Sequence, residues 1–170
     1  MVKVIIPTDT TPNNNIIIFL AGPIQGTENW QEKAIKILKN ENLDCVIANP
    51  RREYIDDKFD YNKQVEWETE YLNKAAKNGV IMFWLAREVT HFCNRAYAQT
   101  TRFELAEWKT KHQYNKKINI VIGIENGFTN ERYIRKRIRE DCPDIYIEAK
   151  LEDTCRQVIK VVKEQKRQKR

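Results

Sequence analysis

The sequence predicts an α/β protein whose parallel sheet is wound in both directions and covered by helices on both faces. Three observations predict it. Short β-branched runs recur without alternating polar residues, as in strands buried on both faces. Longer stretches with apolar residues at helical spacing lie between them. Glycine, proline or asparagine punctuates the run ends, with Gly22-Pro23 after Ile16–Leu20 and Asn49-Pro50 after Asp44–Ala48.

Taken in order, residues 1–15 hold an apolar stretch, Val2 to Ile6, and the polar spacer Pro7 to Asn15. They read as a loosely attached leader or edge strand. Ile16–Leu20 is the first full strand. Trp30, Ala34, Ile37 and Leu38 mark a helix capped by Thr27 or Asn29. Asp44–Ala48 is the second strand, Asp60 to Ala76 a longer helix and Val80–Leu85 the third strand. A helix from Thr101 to His112 leads to the fourth strand, Ile118–Ile122, and a helix from Asn130 to Glu140 to the fifth, Ile145–Ile147. Leu151, Cys155, Val158, Ile159 and Val162 share one face of a final helix. One domain over residues 16–162 and a basic tail over 163–170 complete the expected organisation.

Right-handed crossovers make a flavodoxin-like, doubly wound sheet of five parallel strands the simplest arrangement. Ligands of such sheets lie beyond the carboxyl ends of the strands, where the winding reverses. Three segments therefore matter for function: the turn after the first strand, the loop after the second, and residues 86–100.

At 170 residues, 41% apolar and 32% charged, the chain is long enough to close a core and is not disordered. No apolar run approaches the roughly 20 residues of a membrane span. The N-terminus lacks the pattern of a secretory signal, so a cytoplasmic location is expected. Cys45, Cys93, Cys142 and Cys155 are scattered and only two histidines accompany them, which argues against a metal site and for reduced thiols. The net charge of +6 owes much to Lys163, Lys166, Arg167, Lys169 and Arg170. That cluster reads as the solvated end of a terminal helix. Basic residues interleaved with aromatics, the pattern of a nucleic-acid reader, are missing.

Several residues carry candidate chemistry. The turn Ala21-Gly-Pro-Ile-Gln-Gly26 lets backbone amides approach a ligand, although its spacing fits neither a dinucleotide fingerprint nor a P-loop. In Tyr61–Leu72, Val65, Leu72, Ala75 and Ala76 form an apolar stripe that contains Glu68. A carboxylate there must be paired or line a cavity. Thr101 and Glu104 have the spacing of a capping box. The same spacing sets Glu104 in a first helical turn at the carboxyl edge of the sheet, where the helix dipole favours its ionised form. A carboxylate held anionic there suits a nucleophile at a sugar carbon. Arg51 and Arg52 could hold a phosphate. Trp30, Phe83 and Trp84 could stack on a base, though the last two end a buried strand.

Phe19-Leu-Ala-Gly-Pro23 with Trp30-Gln31, Asn49-Pro-Arg-Arg52, Gln64-Val-Glu-Trp-Glu68, Phe83-Trp84 and Thr101-x-x-Glu104-Leu105 occur in that order. The set resembles the nucleoside 2'-deoxyribosyltransferase-like family over roughly residues 16–128. The resemblance implies transfer of 2-deoxyribose between bases, with deoxynucleosides and free nucleobases as ligands and no cofactor or metal. It implies Glu104 as the nucleophile that forms a covalent glycosyl-enzyme, and Glu68 as the acid that assists the departing base. Gly22, Pro23, Ile24 and Gln25 would line the pocket, to which Trp30, Asn49, Arg51 and Thr101 are added as substrate-binding candidates. A homo-oligomer is implied, with Asn126 a candidate for completing a neighbour's pocket. Ala106 stands where the family's E-L-G segment has glycine. Hydrolysis of deoxynucleosides or their 5'-monophosphates, and nucleotide sensing without catalysis, are the alternative expectations.

Overall fold

A computed structural model describes residues 2–11, 15–52 and 60–168. Residues 12–14 of the spacer and the last two of the basic tail lie outside the described part. The elements are β1 (Lys3–Ile5), β2 (Ile17–Ala21), α1 (Trp30–Lys39), β3 (Val46–Ala48), α2 (Tyr61–Lys77), β4 (Gly79–Leu85), α3 (Gln99–Tyr114), β5 (Ile120–Ile124), α4 (Glu131–Asp141), β6 (Ile147–Glu148) and α5 (Leu151–Gln168).

All strands pair in parallel, in the order β1-β3-β2-β4-β5-β6. The sheet thus has six strands rather than the expected five. The added strand is β1, whose Lys3, Val4 and Ile5 pair with Val46, Ile47 and Ala48. Its fully buried Ile5 sits in the core, which is why so short a run holds the edge. The leader is also less loose than expected. Trp67 Nε1 on α2 donates to the Asp9 carbonyl at 3.0 Å, fastening the segment after β1.

Strand side chains alternate between two cores, as the pleat requires. Ile17, Phe19 and Ala21 of β2 and Ile81, Phe83 and Leu85 of β4 face one core, closed by Trp67, Tyr71 and Ala75 of α2, Leu105 and Trp108 of α3, and Ile138 of α4. Ile18, Leu20, Val80, Met82 and Trp84 face the other, under Trp30, Ala34 and Leu38 of α1 and Cys155, Val158 and Val162 of α5. From β2 the chain runs outward to β3 beneath α1, then returns past β2 to β4 beneath α2. The winding reverses between β2 and β4, so their carboxyl ends open a crevice.

Several boundaries differ from expectation by a few residues, and that of α3 has a local reason. Helix α3 starts at Gln99, two residues before the expected Thr101, because Ala98 takes a left-handed conformation (φ 55°) and its carbonyl accepts the first helical bond from Arg102 N at 2.9 Å. Helix α5 continues unbroken past Val162, and Gln165 Nε2 donates to the Gly79 carbonyl at 2.8 Å. The described part of the basic tail is thus the end of this helix, fastened to the sheet through Gln165. Among the described residues no helix is long and apolar enough to cross a membrane. Cys45, Cys142 and Cys155 are buried free thiols, while Cys93 is exposed.

Candidate active site

The turn after β2 is pressed hard against its surroundings. A Cβ on Gly22 would lie 2.4 Å from the Trp84 carbonyl oxygen and 2.6 Å from the Trp30 ring, so only glycine fits there. Trp30 is 3% exposed and its Nε1 donates to the Pro23 carbonyl at 2.9 Å. It therefore braces the turn from the α1 side. This corrects its expected role, since a ring in that core is not offered to a base. Phe83 and Trp84 are likewise core, at 0% and 4% exposure.

Arg51 and Asn49 also differ from expectation. Arg51 Nε donates to Gln31 Oε1 at 2.9 Å, and Nη2 donates to the Ile24 carbonyl at 2.7 Å. Asn49 Oδ1 accepts from the Arg51 backbone N–H at 3.1 Å. These bonds use the guanidinium to tie the loop after β3 to the turn after β2. The expected phosphate contact from Arg51 is corrected to this loop-fastening role, and Asn49 shapes the loop rather than lining the cavity. Gly26, at φ +78°, accepts at its carbonyl from Val89 N at 2.8 Å and Thr90 N at 3.2 Å, which joins the loop after β4 to the same turn.

A cavity of about 330 Å³ opens between these loops at the reversal point. Gly22, Pro23, Ile24 and Gln25 line its floor, and Thr101 and Glu104 of α3 line one wall. Gln64, Val65 and Glu68 of α2 line the opposite wall. The two glutamates, 36 positions apart in sequence, thus face one space. Asn126 is exposed in the turn after β5 and does not line this cavity.

The apolar face of α2 is rotated from the expected stripe. Gln64, Trp67, Tyr71, Leu72 and Ala75 are its buried residues, whereas Val65 is 41% exposed and flanks Glu68 at the cavity. Gln64 Nε2 donates to Glu68 Oε1 at 2.6 Å and to the Pro50 carbonyl at 3.2 Å. Burial raises the Glu68 pKa, while Gln64 and the charge of Arg52 oppose that rise.

Glu104 departs further from expectation. Helix α3 has no side-chain cap, so Thr101 is a helical residue, 4% exposed, and the capping box does not form. Glu104 falls in the second turn, where the dipole is weaker. Burial pushes its carboxyl up to about 8, and the charges of Glu68 and then Glu107 push the same way. The expected anion of the ligand-free protein is therefore a protonated acid at neutral pH. Desolvation outweighs the dipole because the side chain lines the cleft rather than the helix end.

Sequence reasoning missed most of the rim. Tyr61, Phe92 and Arg95 edge the mouth, and Tyr97 forms part of the wall. Tyr97 Oη donates to the Ala86 carbonyl at 2.6 Å, and burial pushes its hydroxyl up to about 12. Phe92, an isolated aromatic in the polar stretch Arg87–Arg95, was the available signal. Among the described residues no group of three His, Cys, Asp or Glu side chains is arranged to hold a metal.

Fold and cleft together define a class: a parallel α/β protein with a carboxylate-lined cleft at the point where its winding reverses. The sequence profile of the family described as nucleoside 2-deoxyribosyltransferase like matches residues 15–127, the stretch that carries both glutamates and every loop of the cleft floor. The chain belongs to this family. A search of curated proteins finds no match.

Proposed function

We propose that the protein transfers 2-deoxyribose from a deoxynucleoside to a second nucleobase, with Glu104 as nucleophile and Glu68 as proton donor. The observation that carries this reading is the pair of carboxyl groups on α2 and α3 lining a single cavity at the reversal point. Cleaving an N-glycosidic bond develops positive charge on the sugar, which an adjacent carboxylate stabilises and can trap. In the first half, an ionised Glu104 oxygen forms a bond to the anomeric carbon. The bond to the base breaks, and its electron pair leaves with the base, which takes a proton from Glu68. In the second half, a nitrogen of the incoming base bonds to the same carbon, the Glu104 oxygen leaves with its electron pair, and the acceptor's proton returns to Glu68.

Incubation with a deoxynucleoside and a second free base is the test. Exchanged nucleoside is expected, and Glu104→Gln is expected to abolish it. Absence of exchange across many base pairs would refute transfer. A water molecule replacing the acceptor base would give hydrolysis by the same intermediate. Arg95 at the mouth favours a 5'-monophosphate in that case, and release of free base without acceptor distinguishes it. The reading includes a cytoplasmic homo-oligomer, which sedimentation of the purified protein checks.

A further inference from the structure

We propose that Gln64 is a positioning residue that decides which glutamate of the cleft carries the negative charge, holding Glu68 as the carboxylate and leaving the proton on Glu104. The inference rests on the reading that these two side chains do the chemistry, and adds the device that apportions their proton.

The geometry constrains Gln64 at one end only. Its nitrogen lies 2.6 Å from Glu68 Oε1 and 3.2 Å from the Pro50 carbonyl, so both amide hydrogens have acceptors. Turning the amide over would set its oxygen against two acceptors, which fixes the orientation. The cost appears at the other end. Gln64 is 8% exposed, and its Oε1 is buried without a hydrogen-bond partner. A leucine or methionine would avoid that cost on an otherwise apolar helix face. What glutamine supplies there is a donor to one carboxyl of the pair.

The surroundings reinforce the choice. Arg52, from the loop after β3, lowers the Glu68 pKa as Gln64 does. Across the cleft, the charges that act on Glu104 among the described residues are like ones, Glu68 and Glu107. Among the described residues no donor bonds to the Glu104 carboxyl. Among the described residues, Tyr61 of α2 and Glu88, Arg95 and Tyr97 of the segment after β4 are the other titratable groups that line the cavity. Two carboxyls that line one cavity do not both ionise readily, and the donor at Glu68 breaks the tie.

A consequence follows for the reaction. The resting pair has its proton on Glu104, whereas attack needs an ionised Glu104 and departure of the base needs a protonated Glu68. One proton moving from Glu104 to Glu68 converts the first arrangement into the second. No proton is gained or lost by the pair.

Carbon-13 labelling of glutamate side-chain carboxyls, followed by NMR titration of the ligand-free protein, tests the assignment. Glu68→Gln and Glu104→Gln identify the two resonances. Glu68 is expected to ionise first and Glu104 near pH 8. In Gln64→Met the lower midpoint is expected to rise by about one pH unit, a tenfold change in proton affinity. An unmoved lower midpoint, or Glu104 ionising first in the unmutated protein, would overturn the proposal. Should Gln64→Met fail to fold, the side-chain amide resonance of Gln64 in the unmutated protein serves instead. It must shift with the Glu68 titration, and a flat trace overturns the proposal equally. These readouts need no turnover, so absence of base exchange refutes the proposed function while leaving this result standing.

Discussion

Arg51 donates to the carbonyl of Ile24 at 2.7 Å across 27 positions of sequence, joining the loop after β3 to the turn that floors the cleft. Its second anchor, Gln31 Oε1, belongs to α1 and is buried. Removing the guanidinium leaves that oxygen and the Ile24 carbonyl without this donor. Arg51→Ala is expected to cost about 1–3 kcal/mol in denaturant unfolding and to raise KM. Arg51→Lys should recover little, because an ammonium cannot span both acceptors in one plane.

Glu104 makes stability depend on pH in a direction opposite to that of an ion-paired carboxylate. Its carboxyl ionises near 4.5 ordinarily and near 8 in the folded protein. Between those values the folded state binds more protons than the unfolded state, so stability falls as pH rises. The contribution is intact below pH 4.5 and fully lost above pH 8. Thermal unfolding across this window is expected to show the decline, and Glu104→Gln is expected to flatten it. A variant with an unchanged slope would place the pH dependence elsewhere.

Gly22 is a steric requirement of the site. Gly22→Ala would drive a methyl group into the Trp84 carbonyl at 2.4 Å, a backbone atom that cannot swing aside. The turn from Pro23 to Gln25 must shift, and with it the floor of the cavity. A loss of about 1–3 kcal/mol is expected, with weaker ligand binding measured by calorimetry.

The end of α5 offers a separate check. Deleting residues 163–170 removes Gln165 from the Gly79 carbonyl and Lys163 from Glu41, to which it pairs at 2.8 Å. Deleting 166–170 leaves both contacts. Melting temperature is expected to fall for the first truncation and to change little for the second.

Much of the fold and part of the site were legible in one dimension. Runs such as Ile16–Leu20 and Val80–Leu85 announce strands buried on both faces, because every residue in them is apolar. The helical faces of α1 and α5 announce themselves by spacing, and alternation of the two implies the parallel sheet. Chain order then directs attention to the loops that the structure gathers around the cavity, and an acid beside an apolar helical stripe directs it to Glu68, which lines that cavity. These signals are local: each needs only residues within one or two turns of one another.

Tertiary structure decided the rest, because each remaining feature depends on groups remote in sequence. Whether the first residues were leader or edge strand was decided by the pairing of Lys3–Ile5 with β3. Trp30 became a brace for Pro23, and Arg51 a tie to Ile24, because those carbonyls fall within reach only once β2, α1 and β3 are packed. The charge state of Glu104 is the clearest case. Its local pattern, a threonine three residues earlier at an apparent helix start, implied a stabilised anion. Folding began the helix at Gln99, turned the carboxyl toward the cleft and set Glu68 in the same space. Desolvation and like charge are properties of that assembled space, and no short window of sequence contains them.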